Sequence, residues 1–137
     1  MLGTRDERAI TETFTGYVQA FQTLNPHTVL PYYHALCLLI SPQGVRLMET
    51  PAEVEALFAR MFEGLQARRY ARSEVTDPHV NQVSEHIAFV SVSRVRYATD
   101  GQELERLGGT YTFRKTDDGW RIVVATVHGP DTLVRLA

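Results

Sequence analysis

The sequence contains a single cysteine, Cys37, so the chain cannot form an internal disulfide bond. Cysteine usage therefore gives no sign of an oxidising compartment. An excess of charge of either sign is also missing, because 14 Lys and Arg residues stand against 16 Asp and Glu residues. A net charge of −2 creates no overall field that would attract nucleic acid, and no nucleic-acid partner is expected.

Long apolar runs are absent as well. No stretch reaches the length of a membrane-spanning helix, and residues 1–10 carry charges where a signal peptide has its apolar segment. We therefore expect no membrane partner and a cytoplasmic location. The 137 residues fit one domain, predicted to span 1–137, with room for a hydrophobic core.

The motifs of cofactor and metal chemistry are missing too. The sequence has no phosphate-binding loop, nucleophile elbow or dinucleotide fingerprint, and no cofactor is expected. No two histidines have the spacing of metal ligands, so no metal site is expected. Cys37 lies in the apolar run Ala35–Ile40 and is interpreted as a packed thiol. Arg94, Arg96, Glu103 and Glu105 are interpreted as members of cross-strand ion pairs.

The first half of the sequence, by contrast, contains clear helical periodicity. Apolar residues in 5–24 recur at the spacing of one helix face and predict an amphipathic helix. Asn25-Pro26 predicts the start of a short helix that reaches about Tyr33. Thr50-Pro51-Ala52-Glu53 is a capping box, and the apolar stripe behind it predicts a second long helix.

The patterns of the remaining segments predict strands. Residues Ala35–Ile40 and Val45–Met48 predict a hairpin, and from Tyr70 onward apolar residues alternate with a period of two. This second region predicts four long antiparallel strands, Tyr70–Val83 (bent at Asp77-Pro78), Ile87–Tyr97, Leu107–Arg114 and Trp120–His128. Helices grouped on one face of an antiparallel sheet define an α+β fold.

The order of these elements resembles the NTF2-like superfamily, which includes ketosteroid isomerases, SnoaL-type polyketide cyclases and scytalone dehydratases. The resemblance runs from about Ile10 to Gly129. It is carried by the helical Tyr17, by Leu30-Pro31-Tyr32-Tyr33-His34 before a strand, and by Asp118-Gly119-Trp120-Arg121-Ile122 followed by His128. It implies a cone-shaped, curved antiparallel sheet (NTF2-like or cystatin-like) packed against three helices of the N-terminal half, with an apolar cavity between the two layers.

The resemblance also implies a homodimer through the outer face of the sheet. The alternation agrees with this, since it leaves a second apolar face that a monomer would expose to water. The residues assigned to that face are Ala88, Val90, Val92, Val123, Ala125 and Val127.

Two tyrosines are the first candidates for chemistry. Aligned with a ketosteroid isomerase, Tyr17 matches the tyrosine that donates to the developing oxyanion, and Tyr33 matches a supporting tyrosine. Packing alone is the alternative for both, with the hydroxyl group on a backbone carbonyl. In the same register the catalytic aspartate is replaced by Ser41, which cannot abstract a carbon-bound proton without a partner base. The steroid isomerase mechanism is therefore disfavoured.

His128 is the candidate base, because it shares the alternation of Trp120 and Ile122 and is expected to point toward the cavity. A hydrogen-bonded residue at the cavity rim is the alternative. Tyr17 and His128 are thus the candidate catalytic residues. The expected ligand-binding residues are Tyr33, His34, Phe58, Met61, Phe62, Tyr111 and Trp120.

Three functions stay open. The first is a SnoaL-like domain that binds a small apolar or aromatic organic molecule. The second is an enzyme of proton transfer, a lyase or isomerase such as a dehydratase or cyclase. The third is a non-catalytic dimer module that binds other proteins.

Overall fold

The computed structural model describes residues 6–134. Residues 1–5 and 135–137 lie outside this range. Arg5, the first residue of the helix predicted at 5–24, and both ends of the predicted domain 1–137 therefore fall outside the described residues.

Three α-helices precede most of the sheet, as expected. They are α1 (Glu7–Gln22), α2 (Pro26–Val29) and α3 (Pro51–Ala67), and one turn of 3-10 helix (Leu30–Tyr32) follows α2. Asn25 caps α2 by accepting a hydrogen bond of 3.0 Å from the N–H of His27. Thr50 caps α3 by accepting a 3.2 Å bond from the N–H of Glu53, which is one half of the predicted capping box. The Glu53 carboxylate accepts from the N–H of Glu49, one residue before the cap.

The short second helix ends earlier than predicted. Tyr33 has extended backbone angles and begins a strand, because the 3-10 turn containing Pro31 closes the helical segment. The side chain of Tyr33 is thereby held on the inner face of the sheet instead of on a helix.

Within residues 6–134, seven strands form one curved, open sheet. They are β1 (Tyr33–Ser41), β2 (Gly44–Met48), β3 (Tyr70–Val75), β4 (His79–Gln82), β5 (Ile87–Ala98), β6 (Glu103–Thr116) and β7 (Gly119–His128). The order is β2-β1-β7-β6-β5-β3, and β4 also pairs with β5. The bend predicted at Asp77-Pro78 separates β3 from β4. Gly101 and Gly119 supply positive φ angles in the β5–β6 and β6–β7 turns.

One pairing differs from the expected antiparallel sheet. Strand β1 lies parallel to β7, with Leu39 opposite Ala125, while the other pairings are antiparallel. The sheet is therefore mixed, and the α+β class is unchanged. The parallel pair brings the first strand of the chain beside the last and places the segment between α2 and α3 against the sheet.

The helices bury one face each against the inner face of this sheet. Helix α1 buries Ile10, Phe14, Tyr17 and Phe21, at spacings of four, three and four residues that define one helix face. Helix α3 buries a similar stripe at Val54, Phe58, Phe62 and Leu65. Burying a large apolar side chain contributes roughly 1.5–3 kcal/mol, so these two stripes hold the helical layer onto the sheet.

The prediction that the even-numbered residues of β5 lie on the outer face of the sheet is wrong. Ala88, Val90 and Val92 have no exposed surface and belong to the core. The reason is the register with β6, in which Val90 lies opposite Tyr111 and Ala88 opposite Phe113, so that all four share the inner face. Dimerisation through the outer face stays a prediction, and these residues do not support it.

Strand β7 changes face at a bulge. Its register with β6 shifts so that Ile122 pairs with Phe113 and Val124 with Thr112, which leaves Val123 as an extra residue. Before the bulge Ile122 is buried, and after it Ala125 is buried, so the buried positions change from even to odd numbers.

The outer face carries a chain of hydrogen bonds. His128 Nε2 lies 2.7 Å from Thr110 Oγ1, which lies 2.9 Å from the buried Ser91 Oγ. Ser91 Oγ also accepts a 3.0 Å bond from the backbone N–H of Val134. These contacts hold the segment after β7 against the sheet.

The described residues contain no helix that is long and apolar enough to cross a membrane.

The cap of α3 is testable by stability measurements. Thr50→Ala removes the acceptor for the N–H of Glu53 and should lower the free energy of unfolding by about 1 kcal/mol in urea denaturation. Thr15→Ala, at an exposed position inside α1, is the matched control and should change it by less than about 0.5 kcal/mol. An equal effect of both variants would contradict the role of the cap.

Candidate functional site

A cavity of about 40 Å³ lies between the helical layer and the inner face of the sheet. Its walls combine aliphatic and aromatic side chains with three tyrosines and two arginines. They are Tyr17, Phe21, Tyr33, Leu38, Leu39, Met48, Leu57, Phe58, Met61, Arg94, Arg96, Tyr111, Ala125 and Val127. Such a volume holds two or three water molecules or the head group of a small organic molecule.

The tyrosines form a cluster at the centre of this cavity. The hydroxyl groups of Tyr17 and Tyr33 lie 3.0 Å apart, so the Tyr17 hydroxyl meets a second phenol and not a backbone carbonyl. The ring centroids of Tyr17 and Tyr111 are 5.8 Å apart in an edge-on arrangement. Burial, followed by the nearby Tyr111, raises the pKa of Tyr17, and burial followed by Tyr17 raises the pKa of Tyr33. Both phenols are therefore neutral hydrogen-bond donors at neutral pH.

Arg94 is the buried cation of the cavity. Only 6% of the residue is exposed, and one of its terminal nitrogens donates to the hydroxyl of Tyr111. Its Nε has no hydrogen-bond partner among residues 6–134. Arg94 also forms no ion pair with a carboxylate in this part of the chain, so the predicted cross-strand pairing does not hold for it.

Arg96, unlike Arg94, has a carboxylate partner. It forms the expected cross-strand ion pair with Glu105 at 3.3 Å, and Glu105 is shared with Arg68 at 2.8 Å. The Arg96 guanidinium also lies 5.1 Å from the ring centroid of Phe21. Burial and the nearby charge of Arg94 lower the pKa of Arg96. Glu105 is thus shared by two guanidinium groups, and Arg94 has no carboxylate partner among residues 6–134, so the cavity wall carries excess positive charge.

A groove adjoins the cavity between the β1–β2 hairpin and α3. It measures about 380 Å³ and shares Leu39, Leu57 and Met61 with the cavity walls. Arg46 and Arg60 line it farther out. A ligand longer than the cavity could extend past the shared apolar residues into this groove.

The structure brings part of the predicted site together. Phe62 and Trp120 are buried in the core without lining the cavity, and His34 lines a separate depression beside Pro51 and Val54. The predicted site residues that do line the cavity are Tyr17, Tyr33, Phe58, Met61 and Tyr111.

His128 does not face the cavity. In the β6–β7 register Tyr111 pairs with Ala125 and Gly109 with Val127, so His128 projects to the outer face, where it contacts Thr110. The prediction followed an unbroken alternation along β7, and the extra residue Val123 reverses it. His128 is therefore corrected from a candidate base to part of the outer hydrogen-bonded chain.

Sequence reasoning missed Arg94 as a site residue. Arg94 continues the alternation of Val90 and Val92, but the sequence predicts only a cross-strand ion pair for it. A signal was available in Gly109 on the next strand, because a Cβ at that position would lie 2.6 Å from Nη2 of Arg94. Glycine here leaves room for the guanidinium on the inner face.

The cavity is poorly equipped for proton transfer. Among the described residues, its lining contains no Asp, Glu or His that could act as a base, and Ser41 lines only the adjoining groove. Burial raises the pKa of the Cys37 thiol to about 11, which agrees with a packed thiol. Residues 6–134 also contain no group of three or more His, Cys, Asp or Glu that could hold a metal ion.

Comparison with known families agrees with this architecture. A family described as "NTF2-like protein (DUF6841)" matches residues 6–130. The chain belongs to this NTF2-like family. No match was found among curated proteins.

Solved structures resemble the NTF2-like domain over most of its length. A domain of unknown function with a cystatin-like fold from Nostoc punctiforme has a TM-score of 0.74 at 18% identity, covering 92% of this chain and 78% of that one. An NTF2-like protein of unknown function from Shewanella oneidensis has a TM-score of 0.72 at 16% identity, with coverages of 88% and 97%. A ketosteroid isomerase-like protein from Erwinia carotovora has a TM-score of 0.69 at 17% identity, with coverages of 91% and 96%. At these identities the likeness establishes the fold.

The buried tyrosines predict a loss of stability at alkaline pH. Their pKa values are raised in the folded state, so above about pH 10 the unfolded chain releases protons that the folded chain retains. The free energy of unfolding should therefore be unaffected by these groups below pH 10 and fall above it. Urea denaturation at a series of pH values measures this. Tyr17→Phe should flatten the decline, and an unchanged slope in that variant would contradict the assignment.

A substitution at Gly109 tests whether this position must leave room for the Arg94 side chain. Gly109→Ala places a methyl group against the buried Arg94 and Tyr111 and should lower the free energy of unfolding by about 1–3 kcal/mol. Gly64→Ala, inside α3 with no neighbour within 4 Å, should instead raise it by about 0.5–1 kcal/mol. Urea denaturation of both variants checks the contrast, and a neutral Gly109→Ala would mean that Arg94 is free to move.

Proposed function

We propose that this NTF2-like domain binds a small organic molecule in the tyrosine-lined cavity. The observation that supports this most is the convergence of the Tyr17 and Tyr33 hydroxyl groups and the Arg94 guanidinium on a space lined by aromatic and aliphatic side chains. Binding sites for small molecules typically combine mostly apolar walls with a few polar groups that orient the ligand.

Binding without turnover fits this arrangement better than proton transfer. A neutral phenol such as Tyr17 can stabilise an oxyanion, but a reaction that begins with proton abstraction also needs a base. The raised pKa values of Tyr17 and Tyr33 make either tyrosine a poor base at neutral pH. The likeness to a ketosteroid isomerase-like protein supports the fold, but it gives no support for proton-transfer chemistry in this cavity.

A protein-binding module is the third function considered. Such a role would not require polar side chains to converge on an internal space. A bound ligand would account for the cost of burying Arg94, because perturbed ionisable groups cluster at functional sites.

A variant that fills the cavity can be compared with one that adds the same bulk elsewhere, so that a loss of ligand binding is distinguished from an effect on folding. Ala125→Leu projects into the space beside Leu39 and Tyr111, whereas Val124→Leu adds its bulk on the other face of β7. Four probes are suitable: hexanoate, hexanamide, benzoate and benzamide. At least one should raise the melting temperature of the native protein and of Val124→Leu by thermal shift, and none should do so for Ala125→Leu. Failure of all four to bind the native protein, or equal binding by Ala125→Leu, would overturn the proposal.

A further inference from the structure

Arg94 carries a charge that nothing in the described chain neutralises. Arginine stays protonated at any physiological pH, and this residue is 6% exposed. The groups that face it are Tyr111, which accepts its hydrogen bond, the neutral Tyr17 and Tyr33, and the second cation Arg96. Among residues 6–134, the carboxylate paired with Arg96 is that of Glu105, which also contacts Arg68, and no carboxylate pairs with Arg94.

A buried cation without a counter-charge is costly. The penalty for removing an ion from water is several kcal/mol even after relaxation, and a phenol hydroxyl group compensates for only part of it. The Nε of Arg94, a buried donor, also has no acceptor within residues 6–134. An anion in the cavity would neutralise the charge and accept the free hydrogen bonds.

From this geometry we propose that the molecule bound in the cavity carries a carboxylate group, which pairs with the guanidinium of Arg94 while Tyr17 or Tyr33 donates to it. The inference rests on the proposed binding function and specifies its ligand class. A carboxylate matches the planar fork of a guanidinium, which can donate two parallel hydrogen bonds to its two oxygens.

The size of the cavity favours a carboxylate over a phosphate group. The space of about 40 Å³ has room for a planar head group of three heavy atoms. Phosphate is tetrahedral, bulkier and carries up to two charges at neutral pH. Arg96 is already paired with Glu105, so Arg94 is the cavity arginine that lacks a carboxylate partner among residues 6–134. A single negative charge on the ligand would balance it.

The remainder of the ligand is apolar. From the cavity, the shared residues Leu39, Leu57 and Met61 lead into the adjoining groove. A short aliphatic or aromatic group attached to the carboxylate would contact these side chains and gain binding energy from their burial. The ligand class is therefore a small monocarboxylate with an apolar body.

Matched acids and amides test the charge directly. Calorimetric titration at constant ionic strength should show hexanoate and benzoate binding at least about 10-fold more tightly than hexanamide and benzamide, which have the same shape without the charge. Equal affinities for acid and amide would overturn the carboxylate inference while leaving the binding function intact. No binding by any of the four would overturn both. Tighter binding of inorganic phosphate than of either acid would also overturn the carboxylate inference.

Variants of Arg94 assign the effect to this residue. Arg94→Met should weaken hexanoate binding by about 10- to 100-fold and leave hexanamide binding nearly unchanged. Arg106→Met, at an exposed arginine paired with Glu103, is the matched control and should retain full hexanoate affinity. Loss of hexanoate binding in both variants, or in neither, would contradict the role of Arg94.

Two further readouts do not depend on the folding of Arg94→Met. In the native protein, the carboxyl carbon of ¹³C-labelled hexanoate should titrate at a lower pH when bound than when free, since the guanidinium favours the ionised form. Arg94→Lys keeps the charge but loses the planar fork and should bind hexanoate with intermediate affinity. A raised pKa of the bound acid would overturn the proposal.

Discussion

The register between β5 and β6 determines which side of each strand faces the helices. With Val90 opposite Tyr111 and Val92 opposite Gly109, the small side chains of β5 lie under the aromatic layer of α1. The same alternation carries on to Arg94, because side chains two residues apart share a face. A guanidinium is therefore held in the core by the pairing that packs the valines around it.

The chemistry of the cavity follows from this placement. Three phenols and two guanidinium groups line one small space, and burial keeps Tyr17 and Tyr33 protonated. All the polar groups facing the centre can then donate hydrogen bonds, and the charge among them is positive. Such a set suits an electron-rich ligand atom and offers little to a reaction that begins by removing a proton.

The bulge in β7 shows that one extra residue changes which side chains of a strand face the cavity. Without Val123 as an extra residue, the alternation that buries Ile122 would carry His128 toward the helices. The bulge instead directs His128 to Thr110 and the backbone oxygen of Gly129, outside the cavity. The histidine that would have supplied a base to Tyr17 thus helps to hold the segment after β7 in place.

Periodicity and capping signals predicted the two long helices and the sequence order of most strands, because these features depend on neighbours in the sequence. The candidate roles of Tyr17 and Tyr33 came instead from the resemblance to ketosteroid isomerases. Thr50 and Asn25 cap helices by contacts within three residues. The parallel pairing of β1 with β7, the face of β5 and the burial of Arg94 depend on strands that are distant in sequence. An alternating strand has two faces of similar character, and only the cross-strand register and the bulge at Val123 decide which one is buried.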